Sequence, residues 1–190
     1  MGFTRAELEA FRDALVPDLL PPPDQPLHLL FVGINPGLWT AAVQTHFAHP
    51  GNRFYPALLR AGVLSEPVDP SRGMTEEDRA AFTAHGLGIT NLAPRATAKA
   101  SELTAEELRV GGERLRSLVE ARVPRVVAVA GVTAYRQAFG QRRAVMGRQP
   151  EPLGGAELWV VPNPSGLNAH ETTASLATAY AAPARAAGLL

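Results

Sequence analysis

Apolar residues follow two rhythms along this chain. Near-continuous runs occur at LHLLFVGI (Leu27 to Ile34), RVVAVAG (Arg125 to Gly131) and LWVVP (Leu158 to Pro162), with a shorter one at GLGITNL (Gly86 to Leu92). Such runs mark short strands buried on both faces. Between them the spacing turns helical. Thr4-Arg5-Ala6-Glu7 is a capping-box pattern that predicts a helix to about Leu15, and PPPDQP then forms a stiff connector. NRFYPALLRAG reads as a helix despite Pro56. Thr75-x-x-Asp78 opens a helix ending near Gly86, and Thr104-x-x-Glu107 opens a long one to about Arg122 with Gly111-Gly112 in its middle. GVTAYRQAF reads as a short helix, and the alanine-rich stretch from Thr172 to about Ala182 as another. The segment from Asn35 to Gly51 reads as a polar loop punctuated by glycine and proline.

Strands alternating with helices predict a three-layer α/β/α architecture around a central, mostly parallel four-stranded sheet. With 190 residues and no repeat or internal boundary, the whole chain, 1–190, reads as a single domain, with 1–26 as an N-terminal helix and connector added to the core.

Composition narrows the chemistry by exclusion. The chain has no cysteine, which removes disulfides, thiolate nucleophiles and iron–sulfur ligation together. Its five histidines form no H-x₃-H or HExxH pair, and no metal site is expected. No run of eighteen apolar residues suggests a membrane span, and MGFTRAELEAFRDAL lacks the apolar stretch of a signal peptide, so a cytoplasmic, membrane-free protein is expected. No G-x-G-x-x-G, Walker A or G-x-S-x-G string follows a strand run. The 18 basic and 18 acidic residues cancel, which argues against a nucleic-acid partner, yet their distribution argues for one. Acids crowd the helices, whereas Tyr135 to Gln149 carries four arginines and no acid. That segment is either a solvated loop or a phosphate-contacting edge.

Two Asn-Pro turns, GINPG and PNPSGL, each follow an apolar run directly. Proline biases the preceding residue away from the helical region, so Asn35 and Asn163 are expected to stand extended at the carboxyl ends of their strands. In open α/β sheets that edge is where ligands bind. Two amides placed there from opposite halves of the chain suggest one shared site.

Taken in order and spacing, GINPG, FAHPGNRFY, GITNLAPRAT, ELTAEELRVGG and PNPSGL resemble the mismatch-specific uracil (thymine) DNA glycosylases of the uracil-DNA glycosylase superfamily, over most of the chain from Leu27 onward. The resemblance implies Asn35 as the water-positioning residue and Asn163 as the partner of the departing base. It implies a base pocket of Gly33, Ile34, Gly37, Phe47, Asn91 and Ala93, with Phe47 stacking on the flipped base. Gly37 stands where strictly uracil-specific relatives carry a bulky aromatic, which implies a roomy pocket. Ser165, Gly166, Leu167 and Asn168 correspond to the intercalation and opposite-base loop. Asn168-Ala169-His170 departs from the serine-arginine pair of some relatives. Arg95, Lys99, Arg142 and Arg143 are candidate phosphate contacts, and Trp39 has no assigned role.

An amide has no useful proton affinity, so neither asparagine can be a general base. A positioned base contributes about 10²–10⁴-fold, and Ala93, where a carboxylate could act, has only a methyl. The implied activity is therefore a slow, monofunctional, cofactor-free hydrolysis of uracil and other damaged pyrimidines from G·U-mismatched duplex by a monomer, with single-stranded DNA a further candidate substrate. Two rivals stand beside it. One is a lesion-binding module of the same fold that does not turn over. The other is a small-molecule hydrolase or nucleotide binder using the same sheet edge.

Overall fold

A computed structural model describes residues 2–190. Five strands form the sheet among these residues: β1 (Leu29–Gly33), β2 (Leu87–Asn91), β3 (Val126–Ala130), β4 (Gly147–Arg148) and β5 (Glu157–Val161), in the order β2-β1-β3-β5-β4. The β1, β2, β3 and β5 pairings are parallel, and only the two-residue β4 runs antiparallel, on the outer edge of β5. The expected four-stranded sheet is thus corrected to five. A two-residue strand buries too little to leave a hydrophobic signal, and its formation depends on the β5 edge.

Seven α-helices accompany the sheet among the described residues: α1 (Arg5–Glu9), α2 (Leu38–Val43), α3 (Phe54–Ala61), α4 (Glu76–Ala84), α5 (Ala105–Arg122), α6 (Val132–Phe139) and α7 (Thr173–Ala186). Alternate residues of each strand point to opposite faces. Leu29 and Phe31 of β1 enter a core with Phe54 and Leu58 of α3, Phe82 of α4 and Leu176 and Tyr180 of α7. Leu30 and Val32 enter the other core, with Leu108, Leu115 and Val119 of α5 and Ala134 and Tyr135 of α6. The result is the three-layer sandwich that the unbroken apolar runs require.

Two local expectations fail, the first for a tertiary reason and the second for want of length. α1 stops at Glu9 instead of continuing to Leu15, because the chain turns at Asp13 (φ 62°) to pair with the loop after β2. There Asp13 N–H donates to Ala96 O and Ala96 N–H to Ala14 O. Leu19 then exchanges hydrogen bonds with Ile89, covering the outer edge of β2. The second failure is α2, which lies inside the segment read as a loop. Leu38, Ala41 and the N-cap Gly37 carry its signal, a single turn and a half too short to stand out.

Pro56 is tolerated because it occupies the first turn of α3, where its missing N–H has no intrahelical partner to lose. The Gly111-Gly112 pair is a packing device. A Cβ on Gly111 would lie 2.3 Å from Leu92 O, and one on Gly112 would lie 2.6 Å from Ala138 O. Bare backbone lets α5 seat against the segment leaving β2 and against α6, and from there Arg114 donates to Asn91 O. Glycine within a helix ordinarily costs about 1 kcal/mol relative to alanine. Here the sign reverses. Gly111→Ala is expected to destabilise the fold by about 1–3 kcal/mol through overpacking against an immovable carbonyl. Urea denaturation checks this, and equal or higher stability of the variant contradicts it.

Candidate active site

The carboxyl ends of β1, β2, β3 and β5 gather the residues singled out from sequence. β1 stands between β2 on one side and β3 on the other, so the chain reverses its winding direction there. Such a switch point opens a crevice. Leu92 N–H donates to Gly33 O and Ala93 N–H to Ile34 O, so the ladder between β1 and β2 runs past the strands into the site. Ala93 is buried there.

Asn35 projects just beyond β1, half-buried. Its Nδ2 donates to Thr97 Oγ1 at 2.7 Å and lies 3.0 Å from Pro36 O and 3.3 Å from Arg95 O. The Thr97 hydroxyl spends its own proton on Lys99 O, 2.9 Å away, so towards Asn35 it can only accept. The amide nitrogen is thereby committed to the protein. Oδ1 is left as the free acceptor.

Asn163 is locked the other way round. Its Oδ1 accepts from Ser165 N–H at 2.9 Å, and its backbone carbonyl accepts from Asn168 Nδ2. Nδ2 lies 3.9 Å from where a Cβ on Gly131 would stand, at the end of β3, with Ile34 Cδ1 beside it. This amide offers a donor. Tyr180, fully buried, anchors the approach by donating to Pro162 O at 3.0 Å.

Phe47 and Asn91 meet over Gly33. A methyl on Gly33 would lie 2.3 Å from Asn91 Oδ1 and 3.3 Å from the Phe47 ring. Glycine is what leaves this floor open. Phe47 stacks on Phe54 with centroids 4.2 Å apart, and it adopts φ 56°, a left-handed conformation that a bulky side chain enters only under strain. The neighbouring groups over-determine it: Tyr55 Oη donates to His46 O, Arg79 to Gln44 O and Thr45 Oγ1, and Met74 N–H to Thr45 Oγ1. Gly37 stands exposed at the rim, where an added Cβ would meet nothing within 4 Å.

The loop after Asn163 carries Leu167, 90% exposed at its tip. A single side chain clamps this loop. Arg53 donates to Ser165 O, Asn168 O and Glu171 O, at 2.7, 2.8 and 2.5 Å. Gly166 packs so closely that a Cβ would lie 2.5 Å from Gly51 O. Arg53 escaped the sequence reading, although it lies within the FAHPGNRFY string; Thr97 and His46 escaped it as site residues as well.

The cations divide into two groups. Arg95, expected as a phosphate contact, turns its guanidinium instead to Asp13, Glu107 and Glu102 O. It braces the N-terminal arm against α5, and with the Thr104 cap it holds the Glu107 carboxyl down at about 2. Its donors are committed within the protein. Arg136 is likewise bonded to Ala144 O and Arg148 to Glu157. Lys99, Arg142 and Arg143 stand exposed. Trp39 lies off the crevice, donating to Ser71 O and packing edge-on against Phe3 and His49.

A family model described as the uracil DNA glycosylase superfamily matches residues 22–183, from the connector to the last turn of α7. Asn35, Asn163, Phe47, Asn91 and the Leu167 loop all fall within it.

The orientation of Asn35 generates a test. In Asn35→Asp, a carboxylate faces Pro36 O and Arg95 O even if the Thr97 hydroxyl turns to donate, so its folded-state pKa is raised. A raised acid costs nothing below the unfolded pKa of about 3.9, and its penalty grows until pH passes the folded value. Asn35→Asp is therefore expected to match the parent below about pH 4 and to lose about 1–3 kcal/mol at neutral pH. Denaturation curves across pH check this, and equal stability at every pH contradicts it.

Proposed function

The chain belongs to the uracil DNA glycosylase superfamily, whose members are DNA glycosylases, and on that premise we propose that it removes uracil from G·U-mismatched duplex by hydrolysis. The observation that carries this reading is the pair of oppositely locked amides, an acceptor at Asn35 and a donor at Asn163, on one edge of the sheet.

The chemistry asks for little more. Breaking the bond between sugar and base passes through a cation-like sugar, so water suffices as nucleophile once it is held in place. Asn35 Oδ1 accepts a hydrogen bond from that water and fixes its direction. Asn163 Nδ2–H donates to the base as negative charge develops on it, a contact made stronger in the transition state than before it. The flipped base stacks on Phe47, an interaction on the scale of about 1–3 kcal/mol that tolerates several pyrimidines. The open space at Gly37 supports the same tolerance for 5-substituted or otherwise damaged bases. Leu167, held out by the Arg53 clamp, fills the place vacated in the duplex. Arg142, Arg143 and Lys99 contact phosphates. The products are free base and an abasic site. Lys99, the chain's only lysine, stands exposed and does not support a Schiff-base step.

A second reading has its own observation. Both reactive positions are amides without proton affinity, which suits a lesion-binding module that does not turn over. One experiment separates the two. Protein in excess is incubated with oligonucleotides carrying G·U, A·U, G·T or single-stranded U, and abasic sites are scored by alkaline cleavage. The expected result is cleavage, fastest at G·U, that Asn35→Ala lowers by about 10²-fold, the scale of one lost positioned polar group. No cleavage with salt-sensitive DNA binding retained supports the binding module. Loss of both supports a small-molecule site.

A further inference from the structure

His46 stands directly behind the pocket, buried to 4% exposure, and no step above uses it. Its Nε2 lies 3.0 Å from Pro17 O, in the N-terminal connector. A carbonyl oxygen can only accept, so Nε2 carries the proton. In a neutral imidazole the other nitrogen is then an acceptor. Nδ1 lies 3.1 Å from the Asn91 amide, which must therefore turn its nitrogen towards the ring. Oδ1 is left over the Cα of Gly33, beside the Phe47 ring.

We propose that His46 is a specificity-determining positioning residue: with Pro17 O it fixes the Asn91 amide so that the pocket reads an imino N–H next to a carbonyl and rejects the reverse pattern. The inference rests on the proposed function. Uracil presents N3–H and O4, which pair with Asn91 Oδ1 and with the amide hydrogen not given to His46. Cytosine presents a lone pair at N3 and an amino group at position 4, so each contact sets like against like. Without His46 the amide can turn over and serve either base. An amide frozen in one direction is what makes a polar pocket discriminating.

The surroundings keep the ring neutral. Burial is the dominant influence and lowers its proton affinity, with Arg79 on α4 acting in the same sense. The bond to Pro17 O and the charge of Asp18 act against this. Of the other groups packed around it, Tyr55 on α3 donates to the His46 carbonyl, and Asn91 does not titrate. Protonation would put a donor on Nδ1 and push the Asn91 nitrogen away, so discrimination is expected to hold from pH 8 down to the ordinary histidine value of 6.5 and to weaken only in more acid solution.

Two measurements test this on the full chain. The first is the two-bond ¹H–¹⁵N spectrum of the histidine rings, with His46 assigned by comparison with His46→Gln. A neutral Nε2–H ring with an unprotonated Nδ1 is expected, and the Nδ1–H tautomer or a protonated ring at neutral pH overturns the inference. The second is binding of duplexes in which G faces a non-hydrolysable 2′-fluoro deoxyuridine or 2′-fluoro deoxycytidine. His46→Phe is expected to lower the uracil-to-cytosine preference about tenfold, the scale of one neutral hydrogen bond. His46→Gln, whose amide can accept from Asn91 and donate to Pro17 O, is expected to keep it within about threefold. Preference unchanged in a folded His46→Phe overturns the inference, and should that variant not fold, the tautomer of the parent decides. A parent protein that neither excises uracil nor prefers it overturns the proposed function, and this inference with it, whatever the ring spectrum. A parent that prefers uracil with the wrong tautomer overturns this inference alone.

Discussion

Everything at this sheet edge depends on the direction in which three carboxamides point. An amide has an acceptor end and a donor end of nearly the same shape, and an unrestrained one offers both. Here Thr97 and Arg95 O hold Asn35, Ser165 N–H holds Asn163, and His46 holds Asn91. Each lock comes from an element other than the strand carrying the amide, or from the turn just beyond it. A site without a general base can act only through fixed dipoles, whose worth lies in needing no reorganisation when charge develops. In the proposed reaction, orientation is therefore the chemistry, and the folding of the loops supplies it.

Rigid loops have a cost that the core must offset. Phe47 in a left-handed conformation stores about 1–3 kcal/mol. It persists because Tyr55 of α3 and Arg79 of α4 tie the preceding residues Gln44, Thr45 and His46, and because its ring rests on Phe54, itself buried between β1 and α7. On the opposite face, the bare backbone of Gly111 brings α5 close enough to support the chain as it leaves β2. The N-terminal connector, which looks like an appendage in the sequence, pairs with the β2 edge and lends Pro17 O to the site. The two cores and the arm converge on the same few loops.

The four longer strands and the helices α3 to α7 were legible because their signals are local: unbroken apolar runs, capping boxes at Thr75 and Thr104, the alanine-rich stretch after Thr172, and the constraint that proline puts on Asn35 and Asn163. β4 and α2 were not, being too short for a hydrophobic period to register. α1 was read too long because pairing with residues 95–96 overrides its helical pattern. The gathering of the candidate residues at the strand ends was legible, and the groups that support them were not. Nothing in the sequence couples Thr97 to Asn35 or His46 to Asn91, since those bonds cross elements. Arg95 shows the converse: a cation beside the site invites a phosphate, and only the fold reveals Asp13 and Glu107 closing on it.

The most direct test of the oriented-amide site is a crystal structure of the protein bound to a duplex holding 2′-fluoro deoxyuridine opposite guanine. The expected result is a uracil flipped out onto the Phe47 ring, its N3–H on Asn91 Oδ1, a water on Asn35 Oδ1, and Asn163 Nδ2 facing the base. A uracil left stacked in the duplex, or one bound with any of these amides turned the other way, would contradict it.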